Sequence, residues 1–170
     1  MHQKDFILFL IEQFARLVRK ILAKITAGEH DDASFEIEMI YRQYLGINSN
    51  LINSFSYKYL MSLQSIKPEL YQDRCLVLAD VLALEGLNFH RQEIHGESLR
   101  RRLKSLNIYL TLFLEDEQGN LREHHHKVDD LVKAIEQSAG DLAPETRSML
   151  TSFSQLREET KDQDTREADA

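Results

Sequence analysis

Tryptophan is missing from this chain, cysteine occurs once, and only two prolines and six glycines punctuate 170 residues. Each scarcity excludes something. A single thiol, Cys75, cannot build an internal disulfide framework and fits a reducing cytoplasm. So few prolines leave long stretches free to remain helical, because proline is the strongest helix breaker. No run of 18 apolar residues occurs, so no membrane span is expected. The phosphate-cradling glycine loops, the His-Glu-x-x-His pair, Cys-x-x-Cys and Gly-x-Ser-x-Gly are all missing as well. The expectation is a protein that is not an enzyme and needs no cofactor.

Positive charge is also in short supply. Lys and Arg number 21 against 28 Asp and Glu, a net charge of -7, which argues against a nucleic-acid partner. The balance is uneven along the chain. Residues 1–27 carry five Lys/Arg against two acids, whereas residues 116–170 carry seven against 14.

What remains is amphipathic and helical. Phe6, Leu10, Phe14, Leu17, Ile21 and Ile25 recur at steps of three and four, and Ile7, Ile11, Val18 and Leu22 widen the stripe. That spacing predicts a first helix over 3–27, broad enough to bury against two neighbours. The apolar run Phe6–Ile11 resembles the core of a signal peptide, but Glu12, Gln13, Arg16, Arg19 and Lys20 follow without a small-residue cleavage site, so it reads as part of the fold. Phe9 alone falls on the polar face, where an apolar residue can mark a contact.

Gly28 ends the first helix, and Asp31 or Asp32 is expected to cap a second over 32–45. Asn48 to Asn50 form a turn-and-cap cluster, with short helices near 50–55 and 57–64. Pro68 suits the first turn of a helix over 69–91 that is apolar on nearly every side and should therefore be buried. Asp80 and Glu85 stand out inside it, each expected to pair with Arg74, Arg91 or a base on a neighbouring helix. Gly96 is expected to mark the turn before a helix over 97–115, and another follows over 121–138. Pro144 opens a last helix that buries Met149, Leu150, Phe153 and Leu156. The result is an all-α domain over 1–156, of about six to eight helices, with a polar tail over 157–170 that is either flexible or a frayed extension of the last helix.

The turn Gly28-Glu29-His30-Asp31-Asp32-Ala33, with a helix ending at Leu45, resembles the tetratricopeptide repeat, which favours glycine at the turn and alanine five residues on. The proline that such a repeat places after its second helix is replaced by Leu45. Gln3-Lys4-Asp5-Phe6-Ile7, Ile11-Glu12-Gln13-Phe14, the Gly28–Leu45 helix and Leu51-Ile52-Asn53-Ser54 are together similar to a family of small uncharacterised all-helical proteins from Gram-positive bacteria. That resemblance implies stacked antiparallel helix pairs and a cytoplasmic bacterial protein, and implies no activity.

Two clusters invite chemistry. Arg100, Arg101, Arg102 and Lys104 crowd the start of a helix, where the macrodipole disfavours cations. Something must compensate: a bound anion or acidic peptide, or carboxylates such as Glu93, Glu97, Asp80 and Glu85. In the run His124-His125-His126, neighbours point about 100° apart, so three in a row cannot share a metal. The usable set is Glu123, His126 and Asp130 on one helix face. Cys75 sits on an apolar arc and reads as a buried thiol. The functional expectation is a cytoplasmic protein–protein interaction or scaffold module that takes an unknown protein or acidic peptide. The alternatives are a metal-binding helical protein using Glu123, His126 and Asp130, or a structural homodimer subunit packed through the first helix.

Overall fold

In a computed structural model, residues 3–138 and 140–168 are described, with side chains for 12–138 and 140–162. Among them every regular element is helical. The first helix, α1 (Gln3–Ala27), turns back at Gly28 into α2 (His30–Tyr44). Gly28 has φ +80, and Glu29 N–H donates to the Lys24 carbonyl at 2.9 Å, which closes the helix end with a left-handed residue. No aspartate caps α2. The helix begins at His30, two to three residues earlier than a cap at Asp31 or Asp32 would set, and Glu29 supplies no side-chain cap. Those aspartates fall in the first turn instead, where the helix dipole favours them.

Asn48 does cap α3 (Ser49–Ser54), accepting from the amides of Asn50 and Leu51 at 3.1 and 3.3 Å. Ser56 caps α4 (Tyr57–Ser62) in the same way. Two short 3-10 turns, Leu63–Ile66 and Pro68–Leu70, lead into the central helix α5 (Tyr71–Arg91). It pairs along its length with α6 (His95–Glu115). The turn between them is not at Gly96, which lies inside α6. It is at Glu93, with φ 61: Glu93 and Ile94 N–H donate to the carbonyls of His90 and Phe89 at 3.0 and 2.9 Å. A non-glycine residue thus takes the left-handed position, held by paired hydrogen bonds.

A 3-10 turn (Arg122–His124) precedes α7 (His126–Gln137), and α8 (Pro144–Ala168) closes the chain. The segment expected to be either a flexible tail or a frayed extension of the last helix continues α8 as helix as far as Ala168, and Arg157 in it binds Asp129 at 2.9 Å. The core runs from α1 and α2 through α5 to α6, with Val128, Leu131 and Ile135 of α7 and Phe153 of α8 sealing the far side of α6. No helix is long and apolar enough to cross a membrane among the described residues.

Candidate functional site

The four clustered cations do not form a surface patch. Arg101 is 2% exposed. Its Nε donates to Glu85 Oε2 at 2.6 Å and its Nη1 to Asn53 Oδ1 at 2.7 Å, with Phe89 under the guanidinium at 5.6 Å. Arg102, also buried, reaches the C-terminal end of α7, donating to the Ala134 carbonyl and the Ser138 hydroxyl at 3.3 and 3.2 Å. Lys104 donates to the Ile52 and Phe55 carbonyls at the end of α3. Only Arg100 faces solvent, paired with Glu97 at 2.5 Å. The compensation that the α6 dipole demands therefore comes from inside the fold: a buried carboxylate, and the negative ends of two other helices. Burial holds the Arg102 and Lys104 pKa values below their usual range, and the Arg101 charge adds to the effect on Lys104.

Nor does the fold assemble the Glu123, His126 and Asp130 set. His126 Nδ1 is held at 2.9 Å from the backbone carbonyl of Glu123, while the Glu123 carboxylate turns to His124 Nε2 at 3.5 Å. Asp130 is exposed. Among the described residues no three His, Cys, Asp or Glu side chains converge to hold a metal. The run begins in a 3-10 turn and only then enters α7, which rotates its members apart.

The middle histidine of that run has a packing role instead. Its ring lies 4.8 Å from Phe113 and 5.0 Å from Phe153, joining α6 to α8. Burial, aided by Arg157, lowers its pKa below the ordinary 6.5. The unfolded chain then takes up the proton before the folded one does, so stability falls as pH drops through about 6.5. His124 and His90 are lowered too, first by burial and then by nearby cations. Replacement of His125 by Phe keeps the ring contacts and removes one protonation, so the loss of melting temperature between pH 7 and pH 5 should shrink. An unchanged pH slope would remove His125 from the cause.

The feature that can bind something is a cleft of about 680 Å³ beside α5. Its apolar lining includes Phe14, Ala15 and Val18 of α1, Leu76 and Val77 of α5, and Leu121 ahead of α7. It exists because α5 is apolar on more sides than its neighbours cover. α1 and α2 take one flank and α6 another, and the stripe Asp73, Leu76, Val77 and Asp80 is left half-buried as a floor. The carboxylates at the two ends of this floor differ. Asp80 accepts from Lys127 Nζ at 2.7 Å and from the buried Tyr109 hydroxyl. Asp73 has neither a hydrogen bond nor an ion pair among the described residues, and burial raises its pKa. His124 and Lys127 stand on the far wall, Arg19 on the near one.

Sequence reasoning missed this cleft. The signal was present in the nearly unbroken apolar circumference of α5, but reading it as full burial hid the uncovered stripe. Cys75 also belongs to α5, but is buried within the core, its thiol pushed up to about 12 by burial, and so stays protonated. The arrangement is suited to binding an amphipathic body. No family model, curated protein or solved structure matches the chain.

Proposed function

We propose that this protein is a cytoplasmic interaction or scaffold module which receives an amphipathic helix of a protein partner in the cleft beside α5. One observation carries the reading. A half-covered apolar floor, walled by two helices and bearing a carboxylate that has no partner among the described residues, is the chemistry of a helix-in-groove site. An apolar stripe of the partner would cover Leu76 and Val77, and a basic residue of it would meet Asp73. An acidic peptide fits less well, because Arg101, Arg102 and Lys104 are spent inside the fold. Kinship with tetratricopeptide-like helix pairs, and with small helical proteins of Gram-positive bacteria, belongs to the same proposal. Its support is the α1–α2 hairpin, with Gly28 at the turn and Ala33 fully buried.

Site-directed photo-crosslinking in cells tests it. A benzophenone side chain in place of Val77 should trap a discrete protein adduct, and one in place of the exposed Gln155 on α8 should not. Adducts that are absent from Val77, or the same from both positions, would discard the cleft as a protein-docking site.

A further inference from the structure

We propose that α8 is an acid-released strap: protonation of the His125 ring unseats α8 from α6 while the body formed by α1 to α7 stays folded. The cleft plays no part in this, since no residue of α8 belongs to its described lining. α8 is thinly attached. Among its described side chains Thr146 and Phe153 are the buried ones, whereas α5 buries nine residues. Met149 and Leu150 are half-buried beside them. Polar contacts supply further ties. Glu145 accepts from Lys58 Nζ at 2.5 Å and from the Tyr57 hydroxyl at 3.3 Å, and Thr146 donates to Asn107 Oδ1 at 2.8 Å. Lys58 and Glu145 are both exposed, and a pair in water adds little. Phe153 is therefore the main anchor of the helix.

What Phe153 rests on can take a charge. Its ring lies 5.8 Å from Phe113 of α6 and 5.0 Å, edge on, from His125, and the His125 ring is 4.8 Å from Phe113. A neutral imidazole packs in this cluster as an apolar ring. An imidazolium demands water, and the water displaces ring contacts.

The charges around His125 act in the same direction. Arg157 of α8 faces it, with the guanidinium 5.4 Å from the Phe153 ring centre, and Arg122 faces it from the 3-10 turn. Asp116, after α6, and Asp129, on α7, oppose these cations. Both carboxylates are already engaged. Asp116 accepts from the amides of Asn120 and Leu121 at 3.1 and 2.7 Å, and Asp129 holds Arg157 through both oxygens. A proton on His125 thus sets a second cation beside the one that α8 brings, and release of α8 relieves both the repulsion and the burial. Docking favours the neutral ring, so α8 is held fully above about pH 6.5 and loosens as the pH falls below it. Its departure uncovers Asn107, Thr111 and Phe113 on α6.

Hydrogen exchange of the full chain at pH 7.5 and 5.5, read by mass spectrometry as protection corrected for intrinsic rates, tests this. Lys58 holds Glu145 below the usual carboxylate range, so that tie keeps its charge at both. At pH 7.5 amides 148–158 should be at least about tenfold less protected than those of α5, because α8 opens without the body. At pH 5.5 their protection should fall further by several-fold, toward the tenfold that one pH unit below an ordinary histidine pKa permits. His125→Phe should keep the first difference and abolish the second. Arg157→Gln, which leaves the ring in place and removes the cation beside it, should shrink the second. His124→Gln, on the cleft side of the run, should leave both unchanged. α8 amides as protected as those of α5 would mean that α8 leaves only when the whole chain unfolds, and the strap is overturned. An acid-driven fall of unchanged size in His125→Phe, or one abolished by His124→Gln, overturns His125 as its trigger.

Discussion

Arg101→Met should cost about 3–5 kcal/mol of folding stability, the loss expected when one partner of a buried ion pair is removed. For a chain of this size that corresponds to a drop in melting temperature of about 6–20 °C. Glu85 is the reason. It is 8% exposed, and its Oε2 accepts from both Arg101 Nε at 2.6 Å and the Tyr41 hydroxyl at 2.7 Å. Take away the guanidinium and the carboxylate is left in the interior with only a phenol to share its charge. The same residue ties α6 to α3 through Asn53, so four elements loosen at once.

A second variant separates the lost pair from lost packing. Tyr41→Phe/Glu85→Leu/Arg101→Met removes charge and hydroxyl together and replaces them by apolar volume. It should recover most of the stability, since buried pairs replaced as a unit are often neutral. Urea denaturation followed by circular dichroism reads both. A single Arg101→Met variant within about 1 kcal/mol of wild type would mean that Glu85 finds water or another cation, and the network would not be what joins α2, α3, α5 and α6.

This network shows where the sequence runs out. The α1–α2 hairpin is legible because its determinants are local: a stripe at helical spacing, then a glycine that can take φ +80. The Glu93 turn is not, because nothing local distinguishes a glutamate held left-handed by its neighbours' hydrogen bonds from a helical one. Gly96, three residues on, looks like the break and is not. The basic cluster is legible as a charge problem, and its solution is not. Which carbonyls and carboxylates meet Arg101, Arg102 and Lys104 depends on how α3, α5 and α7 dock around α6, with partners 16 to 52 residues away in sequence. The cleft is hardest to see. An apolar circumference signals burial, but only packing reveals which stripe of it the chain leaves for something else to cover.

Gly86→Leu should destabilise the protein by about 3 kcal/mol or more, and Gly86→Ala by about 1–2 kcal/mol. A glycine in the interior of a helix gives up about 1 kcal/mol of helix propensity relative to alanine, so its presence inside α5, more than a turn before the end at Arg91, calls for a reason. The reason is the closeness of α6. A Cβ on Gly86 would stand 2.9 Å from Arg102 Cγ, 3.2 Å from the Ser98 carbonyl and 3.4 Å from Arg101 Cβ. Ser98 cannot withdraw without moving the α6 backbone, and its hydroxyl already donates to the Gly86 carbonyl at 2.7 Å. Arg102 could swing its stem aside only by releasing the end of α7. Alanine's propensity gain is thus set against a strained contact on two sides, and the strain should win. Adding Arg102→Ala to Gly86→Ala removes the nearest clash, so the paired substitution should cost less than the sum of the single ones. If Gly86→Ala raises stability by the ~1 kcal/mol that helix propensity alone provides, the α5–α6 contact has slack, and the buried cations of α6 are not held in place by the approach of these two helices.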